Sequence, residues 1–514
     1  MKKTYLLFLL IFTISLLFAQ HRDHKRDYQW IFGYNYAAKG VIFDFNSKPV
    51  KQLVFKEALK PDLSQDLAEI CDTAGQFIAV ANGCQIYNKQ FLVMKNGKKL
   101  NPGYYTSQLF CTSTGSQYFQ SSIMLPKPQN DSLIYLFHKI ADKRNGAWFT
   151  DTLRLSIINT KKDNGNGEAI LKNFPIYNDT MTSESMTAVR HANGIDWWLI
   201  NPSHQADGND NRIILHLVTK DSIKGPFIQA IGNKDIQDYK DYPQAGFSPD
   251  GTKFFRYFNH KGLYYYKFDR EKGIFSDFKF FKMSYPTAEL GGATFSANSR
   301  YLYMSGIKQI YQLDTEAQNW SEAIDTVGDW DNFVHKGFPS QFSYMLLAPD
   351  CKIYVMPYGS IPYINVINYP NRKGKACKVE QQVKLITHTD NAPPNYPNFR
   401  LGKLGESFSP CDSTINPYIT GIGDASEKPI IANIYPNPAS YDLNLDLFGY
   451  VNHYQKGKYI ISDLQGRPIA TYPLLPNHDE YRFDISNLQN GIYLWQLVLD
   501  DKIRQSGKVV VLKE

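Results

Sequence analysis

Carboxylate and amide side chains recur at one position of a repeated pattern in this chain. Four segments each carry an Asp or Asn at the tip of a turn between two apolar stretches, namely Asn193, Asp250, Asn298 and Asp350. Nine residues before these tips stand Glu184, Asp241, Glu289 and Gln341. Because equivalent positions of a repeat occupy equivalent places in a fold, we expect these side chains to lie near one another. Such a group could bind a ligand or a cation, or supply an acid and a base for glycoside cleavage.

Three further side chains extend this candidate site. Tyr242, Trp330 and His335 lie close in sequence to the repeated positions and add aromatic and imidazole groups. Since clustered carboxylates repel one another, we expect the pKa of at least one to rise unless a cation, Lys or Arg lies beside it. The alternative interpretation is that each side chain holds its own loop through hydrogen bonds to nearby backbone N–H groups.

Other signals for catalysis or cofactor binding are weak. The sequence contains no GxSxG, HExxH or P-loop motif, and no GxGxxG motif in a strand–helix setting. The segment from His204 to Arg212 alternates acidic and amide residues like the start of a calcium loop, but it lacks the later Gly and Glu, which favours a polar loop. We therefore expect no cofactor, and a structural cation is the one candidate ion.

The pattern that positions these residues is an apolar stretch, a polar turn and a second apolar stretch. Its clearest copies are Ala245–Phe258, Ala293–Gly306 and Met345–Pro357, and a third apolar stretch follows each of them. A period of about 50 residues with three or four strands per unit is typical of a β-propeller. Asp or Asn followed by Gly suits a tight hairpin, whereas Ser299 and Cys351 replace that Gly and predict turns of another type or strained turns.

The ends of the repeat region predict a closed ring. Six hairpin units lie between Ala68 and Pro370. Tyr28–Asn46 has the pattern of a second and a third strand without a first, and Asn395–Leu404 has the pattern of one strand without a partner. We therefore predict a propeller over residues 28–404, with seven blades and with the C-terminal strand completing the first blade, because closure removes exposed sheet edges.

These segments resemble a family of exported propeller proteins from bacteria that use type IX secretion. The resemblance rests on WIFGYNYAAKGVIFDFN, TAVRHANGIDWWLI, GFSPDGTKFF and PNFRLG, and it covers roughly Tyr28 to Leu404. These motifs specify the blade pattern and imply no particular activity.

The first residues have the pattern of a secretory signal peptide. Lys2 and Lys3 precede an apolar run from Tyr5 to Phe18, and Ala19 is a suitable small residue before a cleavage site. We predict a signal peptide over residues 1–19, with a retained membrane anchor as the alternative, and no other membrane span. Six cysteines then enter an oxidising compartment, where disulfides form in pairings that the sequence does not determine. A formal charge of +7 over 514 residues does not indicate nucleic-acid binding.

The last part of the chain differs in composition from the repeats. Residues 409–430 are rich in small and turn residues and predict a linker. Residues 431–514 contain seven short strand patterns, which suggests an immunoglobulin-like sandwich. YPNPA, SDLQGRPI, FDISNLQNGIYLWQL and GKVVVLK occur there in the order of the type A sorting domain of type IX secretion, which this region resembles. A carbohydrate-binding or spacer sandwich is the alternative.

The resemblance of the C-terminal region implies the location of the protein and its partners in export. It implies recognition by the outer-membrane export machinery, cleavage by the sorting protease in the linker, and release or anchoring at the cell surface. We therefore expect an exported propeller that binds or scaffolds an unidentified surface ligand, a glycan or a protein. The alternative is a propeller hydrolase or lyase that acts on extracellular polysaccharide, since propellers host both classes of function.

Overall fold

The computed structural model describes the chain from residue 23 to residue 513, with gaps. The described residues are 23–33, 40–54, 63, 65–109, 111, 115–144, 147–204, 211–232, 243–259, 261–283, 291–389, 392–406, 409–412, 431–448, 456–475 and 480–513. Their fold is all-β, as predicted from the sequence. The short helices are α1 (Tyr104–Gln108), α2 (Lys162–Gly165) and the 3-10 turns Trp320–Glu322 and Gly374–Cys377. The predicted signal peptide, residues 1–19, and residues 413–430 of the predicted linker lie outside the described residues.

In the part of the chain that the structure describes up to residue 389, seven antiparallel sheets of three to five strands follow one another, and a two-stranded sheet precedes the last of them. Sheet one contains β1 (Gln29–Gly33), β2 (Gly40–Asp44) and β3 (Lys51–Val54). Sheet two contains β4 (Ala68–Cys71), β5 (Phe77–Ala81) and β6 (Ile86–Asn88). Sheet three contains β7 (Ser122–Lys127), β8 (Asn130–His138), β9 (Asp142–Arg144), β10 (Ala147–Asn159) and β11 (Glu168–Met181).

The next four sheets have four strands each. Sheet four contains β12 (Thr187–Arg190), β13 (Trp197–His204), β14 (Asn211–Val218) and β15 (Ile223–Ala230). Sheet five contains β16 (Gln244–Phe247), β17 (Lys253–Phe258), β18 (Gly262–Asp269) and β19 (Ile274–Lys282). Sheet six contains β20 (Ala293–Phe295), β21 (Tyr301–Ser305), β22 (Gln309–Asp314) and β23 (Ile324–Asp329). The small hairpin β24 (Val334–His335) and β25 (Phe338–Pro339) precedes sheet seven, which contains β26 (Phe342–Leu347), β27 (Ile353–Pro357), β28 (Ile361–Ile367) and β29 (Val379–Thr389).

Each sheet packs against the next one, and the last packs against the first. The first strands of neighbouring sheets contact one another, as β4 contacts β7 and β16 contacts both β12 and β20. Between sheets seven and one, the Tyr354 ring lies 5.6 Å from Trp30 and from Phe43. Because both faces of these sheets are covered, strands such as β21 are buried along their whole length. The sheets therefore form a ring with their first strands towards its axis.

The two ends of this ring are distinct. We call the end at which the first strands begin the mouth face, and the end at which they turn into the second strands the turn face. At the turn face, Asp250 Oδ1 accepts hydrogen bonds from Thr252 N (2.9 Å) and Ser248 Oγ (2.5 Å). Asn298 and Asp350 accept a backbone N–H two residues further on in the same way. The recurring Asp and Asn are thus structural turn residues.

The turns that lack Gly keep the backbone conformation of those that have it. Gly251 has φ 73°, and the corresponding Ser299 and Cys351 have φ 61° and 64°. The prediction that these two turns are of another type was therefore wrong. The other expectation, a strained turn, fits the structure, because a residue with a side chain costs about 1–2 kcal/mol in the left-handed region.

Gly251→Ala is expected to lower the free energy of unfolding by about 2–3 kcal/mol. The left-handed backbone costs about 1 kcal/mol, and the added Cβ would lie 2.8 Å from both Arg270 Cδ and Leu401 Cδ2. Gly337→Ala is the matched control, because Gly337 has φ 89° and no atom within 4 Å of the added Cβ, so only the backbone cost remains. Urea unfolding of both variants measures the difference, and equal losses would contradict the packing contribution.

The predicted closing strand is absent. Residues 392–404 form no strand, and sheet one keeps three strands. Pro393, Pro394 and Pro397 explain this outcome, since proline has no N–H to donate to a β-ladder. The free edge of β1 is instead satisfied mainly by side chains: Ile31 N donates to Glu69 Oε2 and the Tyr396 hydroxyl donates to Gln29 O, both at 3.1 Å. Leu63 N adds one backbone hydrogen bond, to Gly33 O.

The segment from residue 392 to 400, here the axial tail, runs along the axis of the ring. Near the mouth face, Asn395 N donates to Leu67 O, and Asn395 Nδ2 donates to Ser122 O and Met186 O at 2.8 and 3.0 Å. Near the turn face, Asn398 Nδ2 donates to Pro249 O at 2.9 Å. The tail therefore fills the axis and pairs with the inner edges of several sheets.

Two glutamines continue this pairing around the axis. Gln120 Nε2 donates to Ala245 O and to Asn395 Oδ1, and Gln120 Oε1 accepts from Ala245 N. Gln244 Nε2 donates to Met345 O, and its Oε1 accepts from Ala293 N. A side-chain amide has both a donor and an acceptor and can therefore pair with an open strand edge as a backbone amide does.

Both ends of the ring region are fastened to the turn face. Arg400 donates two hydrogen bonds to the Asp27 carboxylate, at 2.7 and 2.8 Å. The Tyr28 hydroxyl donates to Asp412, and a disulfide joins Cys351, in the turn of sheet seven, to Cys411. A second disulfide joins Cys84 to Cys111, while Cys71 and Cys377 are buried thiols.

The C-terminal region forms two sheets around a core of its own. One sheet contains β30 (Ile431–Tyr435), β31 (Asp442–Phe448) and β34 (Glu480–Asp484), and the other contains β32 (Gly457–Ser462), β33 (Pro468–Leu474), β35 (Gly491–Leu499) and β36 (Lys502–Val511). Both contribute to one buried cluster that includes Leu445, Tyr459 and Trp495. The seven strands predicted for this region are present.

Candidate functional site

The mouth face of the ring holds a group of buried charged side chains from sheets two to five, here the mouth cluster. Its members are Asp66, Lys139, Glu184 and Arg256. Burial lowers the pKa of Lys139 most, Arg256 lowers it further, and Glu184 and Asp66 raise it. The cluster thus brings two basic and two acidic residues to the end of the ring where the first strands begin.

Lys139 is the best-bound member of this cluster. It follows the last residue of β8, and its Nζ donates to Thr182 O (2.7 Å), Glu184 O (2.9 Å) and Asn201 Oδ1 (2.5 Å). Burial lowers its pKa well below the usual 10.5. Three acceptors match the three N–H bonds of an ammonium group, so this lysine links sheets three and four and has no N–H left for a ligand.

Asp66 lies between sheets two and three, two residues before β4. Its Oδ2 accepts hydrogen bonds from Ser121 Oγ (2.5 Å) and Ser122 Oγ (2.8 Å). Complete burial raises the pKa of this carboxyl to about 7, against the lowering effect of the two serine hydroxyls. The carboxyl therefore changes its protonation near neutral pH.

The Asp66 carboxyl is expected to make stability depend on pH. Its folded-state pKa of about 7 lies above the ordinary 3.8, so its contribution is complete below pH 3.8 and is lost as the pH rises through 7. Asp66→Asn removes the charge, so it is expected to flatten stability across this window and to gain up to about 4 kcal/mol over the parent at pH 8. Urea unfolding from pH 4 to 8 measures this, and parallel profiles would contradict it.

Glu184 is the sequence-predicted residue that the structure places in the mouth cluster. It is 4% exposed, and its carbonyl accepts the Lys139 hydrogen bond described above. Gln341 lies half-buried at the start of sheet seven, also at the mouth face, where its carbonyl accepts a hydrogen bond from Tyr358 N at 2.7 Å. Asp241, Tyr242 and Glu289 lie outside the described residues, so the meeting of the four repeated side chains stays a prediction.

Trp330 and His335 lie on the mouth face beside the outer strands of sheets six and seven. Trp330 Nε1 donates to Ser340 Oγ at 3.3 Å, and its backbone N donates to Lys308 O. The His335 ring lies 5.4 Å from the ring of Tyr363, in the third strand of sheet seven. These contacts place both residues away from the axis, next to the small hairpin that precedes sheet seven.

Sequence reasoning missed Asp66, Lys139 and Arg256. Asp66 precedes one of the weaker repeats, and counting back from the turn of that repeat would have come within one residue of it. Lys139 and Arg256 lie at or near the mouth end of second strands, where an apolar pattern is interrupted by a cation. That interruption was the available signal, although a single cation in a strand is more often solvent-exposed than buried.

The buried histidines of the ring are neutral. Burial lowers the pKa of His138 to about 3 and that of His216 to about 4. The two ring nitrogens of His138 are hydrogen-bonded to Asn101 Oδ1 (2.8 Å) and Ser156 Oγ (2.9 Å). Within the described ranges, no group of three His, Cys, Asp or Glu side chains is arranged to hold a metal ion.

A small cavity remains beside the axial tail. Its lining includes Gln120, Thr187, Gln244 and Asn395. The space open to water-sized molecules is about 60 Å³, which suits a few waters and is too small for a sugar ring or a peptide. The mouth cluster, rather than the axis itself, is therefore the candidate functional site.

Comparison with solved structures finds similar proteins at low sequence identity. The Dos1 propeller is 13% identical with a TM-score of 0.35, over 62% of this chain and 69% of that chain. The periplasmic gluconolactonase PpgL of Pseudomonas aeruginosa is 14% identical with a TM-score of 0.34, over 60% and 93%. Sqt1 of Saccharomyces cerevisiae is 9% identical with a TM-score of 0.35, over 84% and 95%. These similarities carry no argument about activity.

Comparison with protein families identifies the C-terminal region. No curated protein matches this sequence, but residues 433–512 match the family described as a secretion system C-terminal sorting domain. Among the described residues, none of the helices has the length and apolar character needed to cross a membrane. The chain thus carries a C-terminal sorting domain, which implies interaction with the type IX secretion machinery and export to the cell surface or the extracellular space.

Proposed function

We propose that this protein is an exported binding or scaffolding module, with its ligand site at the mouth face of a seven-bladed propeller. In this proposal, residues 1–19 are a signal peptide and residues 28–404 form the propeller. Residues 409–430 are a linker, and residues 431–514 are an immunoglobulin-like sandwich that directs export. The ligand is a glycan or a protein of the cell surface or its surroundings.

The mouth cluster is the observation that carries this proposal. Burial of four ionisable side chains is costly and does not by itself improve folding, since apolar side chains of similar volume often stabilise a core as well. Perturbed, clustered ionisable groups are enriched at functional sites. Asp66, Lys139, Glu184 and Arg256 come from four consecutive sheets, which is the arrangement expected of a site built across a ring.

The positions of the two ends of the ring region also favour a ligand site at the mouth face. Asp27 and Asp412, near the two ends of the ring region, are both fastened at the turn face. Residue 412 is thus held at the turn face, the end of the ring opposite the mouth cluster. Lys139 uses all its N–H bonds on the protein, which favours binding over nucleophilic catalysis by this lysine.

Binding of the full-length protein to arrays of glycans and of cell-surface proteins tests the proposal. The combined variant Glu184→Gln, Asp241→Asn and Glu289→Gln is expected to lose at least about 10-fold in affinity for any ligand found, because charge-assisted contacts are lost. The control variant Glu271→Gln and Glu406→Gln changes exposed acids of the turn region and should bind as the parent does. Equal binding by all three proteins, with unchanged unfolding curves, would contradict a mouth-face site.

A further inference from the structure

Lys139 and Asn201 form a buried contact between sheets three and four. Both residues are completely buried, and Lys139 Nζ lies 2.5 Å from Asn201 Oδ1. Because a C=O bond is about 1.2 Å long, the Asn201 Cγ atom is at most about 3.7 Å from Nζ. Atoms that react within a folded site start from a separation of about 3–3.5 Å. The lysine nitrogen is thus in contact with the carboxamide carbon of the asparagine.

Burial favours the neutral form of the Lys139 amine. Its pKa lies well below the usual 10.5, chiefly because an ammonium group loses the stabilisation of water at this position. The ammonium form uses all three acceptors, whereas the neutral form keeps two N–H bonds and gains a lone pair. The backbone oxygens of Thr182 and Glu184, at 2.7 and 2.9 Å, accept those two N–H bonds, and the lone pair then faces Asn201. The nitrogen is therefore a nucleophile aimed at a group of the chain itself.

The surroundings of this pair also suit proton transfer and the loss of ammonia. Glu184 is 4% exposed and its charge raises the pKa of Lys139, so an acidic side chain lies near the amine. A carboxyl group in such a place takes a proton from one nitrogen and gives it to another. Asn201 Nδ2 lies 2.9 Å from Met181 Sδ, which is a weak acceptor and holds the nitrogen loosely.

A second contact between a lysine and an asparagine lacks these conditions. Lys172 Nζ lies 3.2 Å from Asn96 Oδ1 at the surface of the protein. Water solvates a lysine at such a place, so it stays an ammonium group, which has no lone pair to attack a carbonyl carbon. Contact alone is therefore not sufficient, and the buried pair has the two features that the exposed pair lacks, a dry environment and a nearby acid.

We propose that Lys139 and Asn201 react with each other in the folded protein and form an intramolecular amide bond that joins sheets three and four. Nζ of the neutral lysine bonds to Cγ of Asn201, the Cγ–Nδ2 bond breaks, and Nδ2 leaves as ammonia. Glu184 takes one proton from Nζ and gives it to Nδ2, so the carboxyl group ends as it began. One amide replaces another, and the reaction needs no oxidant or reductant. This bond goes beyond the proposed ligand binding and does not depend on it.

Peptide mapping of the folded full-length protein by mass spectrometry tests the bond. The digest of the parent protein is expected to contain a branched peptide that joins the segments of Lys139 and Asn201, with a mass lower by one ammonia than the two segments together. Lys139→Arg and Asn201→Ala should each give the two segments separately. Lys172 and Asn96 should stay unlinked in every sample. Recovery of Lys139 and Asn201 from the folded parent in separate, unmodified peptides would overturn the proposal, whether or not the variants fold.

The rate at which the branched peptide appears tests the role of Glu184. Glu184→Gln is expected to form the bond at least about 100-fold more slowly than the parent, because an amide side chain does not carry the proton. Asp66→Asn is the matched control, since Asp66 also acts on the pKa of Lys139 but is held by two serine hydroxyls, and it should react as the parent does. Samples are taken at intervals after synthesis, from proteins whose unfolding curves show a folded ring. Equal rates for Glu184→Gln and the parent would overturn the assignment of Glu184 as the proton carrier.

Discussion

A chain that lacks Ile431–Glu514 will fold its ring but will accumulate in the periplasm, with at least about a 10-fold loss of extracellular protein. The C-terminal region has a core separate from those of the ring sheets, so its removal leaves the ring contacts intact. The export address is lost with the residues that match the sorting domain, 433–512. Immunoblots of periplasmic and extracellular fractions measure the distribution.

Two comparisons make this export experiment specific. A reporter protein with residues 1–19 at its N-terminus and residues 413–514 at its C-terminus should reach the outside of the cell, because it carries both the predicted signal peptide and the sorting domain. Leu445→Asp and Trp495→Asp, which disrupt the core of the sorting domain, should trap the full-length chain as the deletion does. Normal amounts of the deleted protein outside the cell would show that export does not depend on this domain.

Asn395→Ala is expected to destabilise the ring by about 3–5 kcal/mol. The side chain donates to Ser122 O and Met186 O and accepts from Gln120 Nε2, and all three partners are buried. Loss of the amide removes one hydrogen bond from each of these partners. Each buried group that stays unsatisfied lowers the free energy of unfolding by about 1–3 kcal/mol. Urea unfolding followed by tryptophan fluorescence measures the change.

Two further variants, Asn395→Asp and Asn371→Ala, serve as comparisons for this prediction. Asn395→Asp keeps the acceptor for Gln120 but loses both donors and adds a buried charge, so it should be at least as harmful as the Ala variant. Asn371 is exposed and accepts one bond, from Asn298 N, so its Ala variant should lose only about 1 kcal/mol. Similar losses for Asn395→Ala and Asn371→Ala would mean that the axial tail contributes little to stability.

Local sequence patterns predicted much of this fold because strands and turns are local features. The hairpin at Asp250 and Gly251 could be located from its turn residues, since Asp bonds its own turn and Gly accepts a positive φ. The turn at Ser299 shows the limit of that reasoning. Its left-handed backbone is supported by a distant partner, because Asp250 N donates to Ser299 Oγ from the neighbouring sheet.

The axial tail and the mouth cluster could not be derived in the same way. The pattern of the tail suggested a strand, and its three prolines were the signal against one. Which side chains then replace the missing strand depends on contacts such as Glu69 to Ile31 and Tyr396 to Gln29, which join residues far apart in sequence. Glu184 could be predicted because it occupies a repeated position. Lys139 and Arg256 interrupt the apolar pattern of their strands, and their proximity depends on how the sheets pack.

The disulfide between Cys351 and Cys411 determines where the ring carries mechanical load. If the protein is held at the cell surface through residues beyond 412, a pulling force enters the ring at Cys411 and passes through a covalent bond into sheet seven. The axial tail lies on the ring side of that bond and is spared the tension. Without the disulfide, the same force would act first on the hydrogen bonds of Asp412 with Pro349 and Tyr28, and then on Arg400 and Asn395 in the tail. In a protein tethered in this way, the disulfide would thus keep a pulling force off the axial tail.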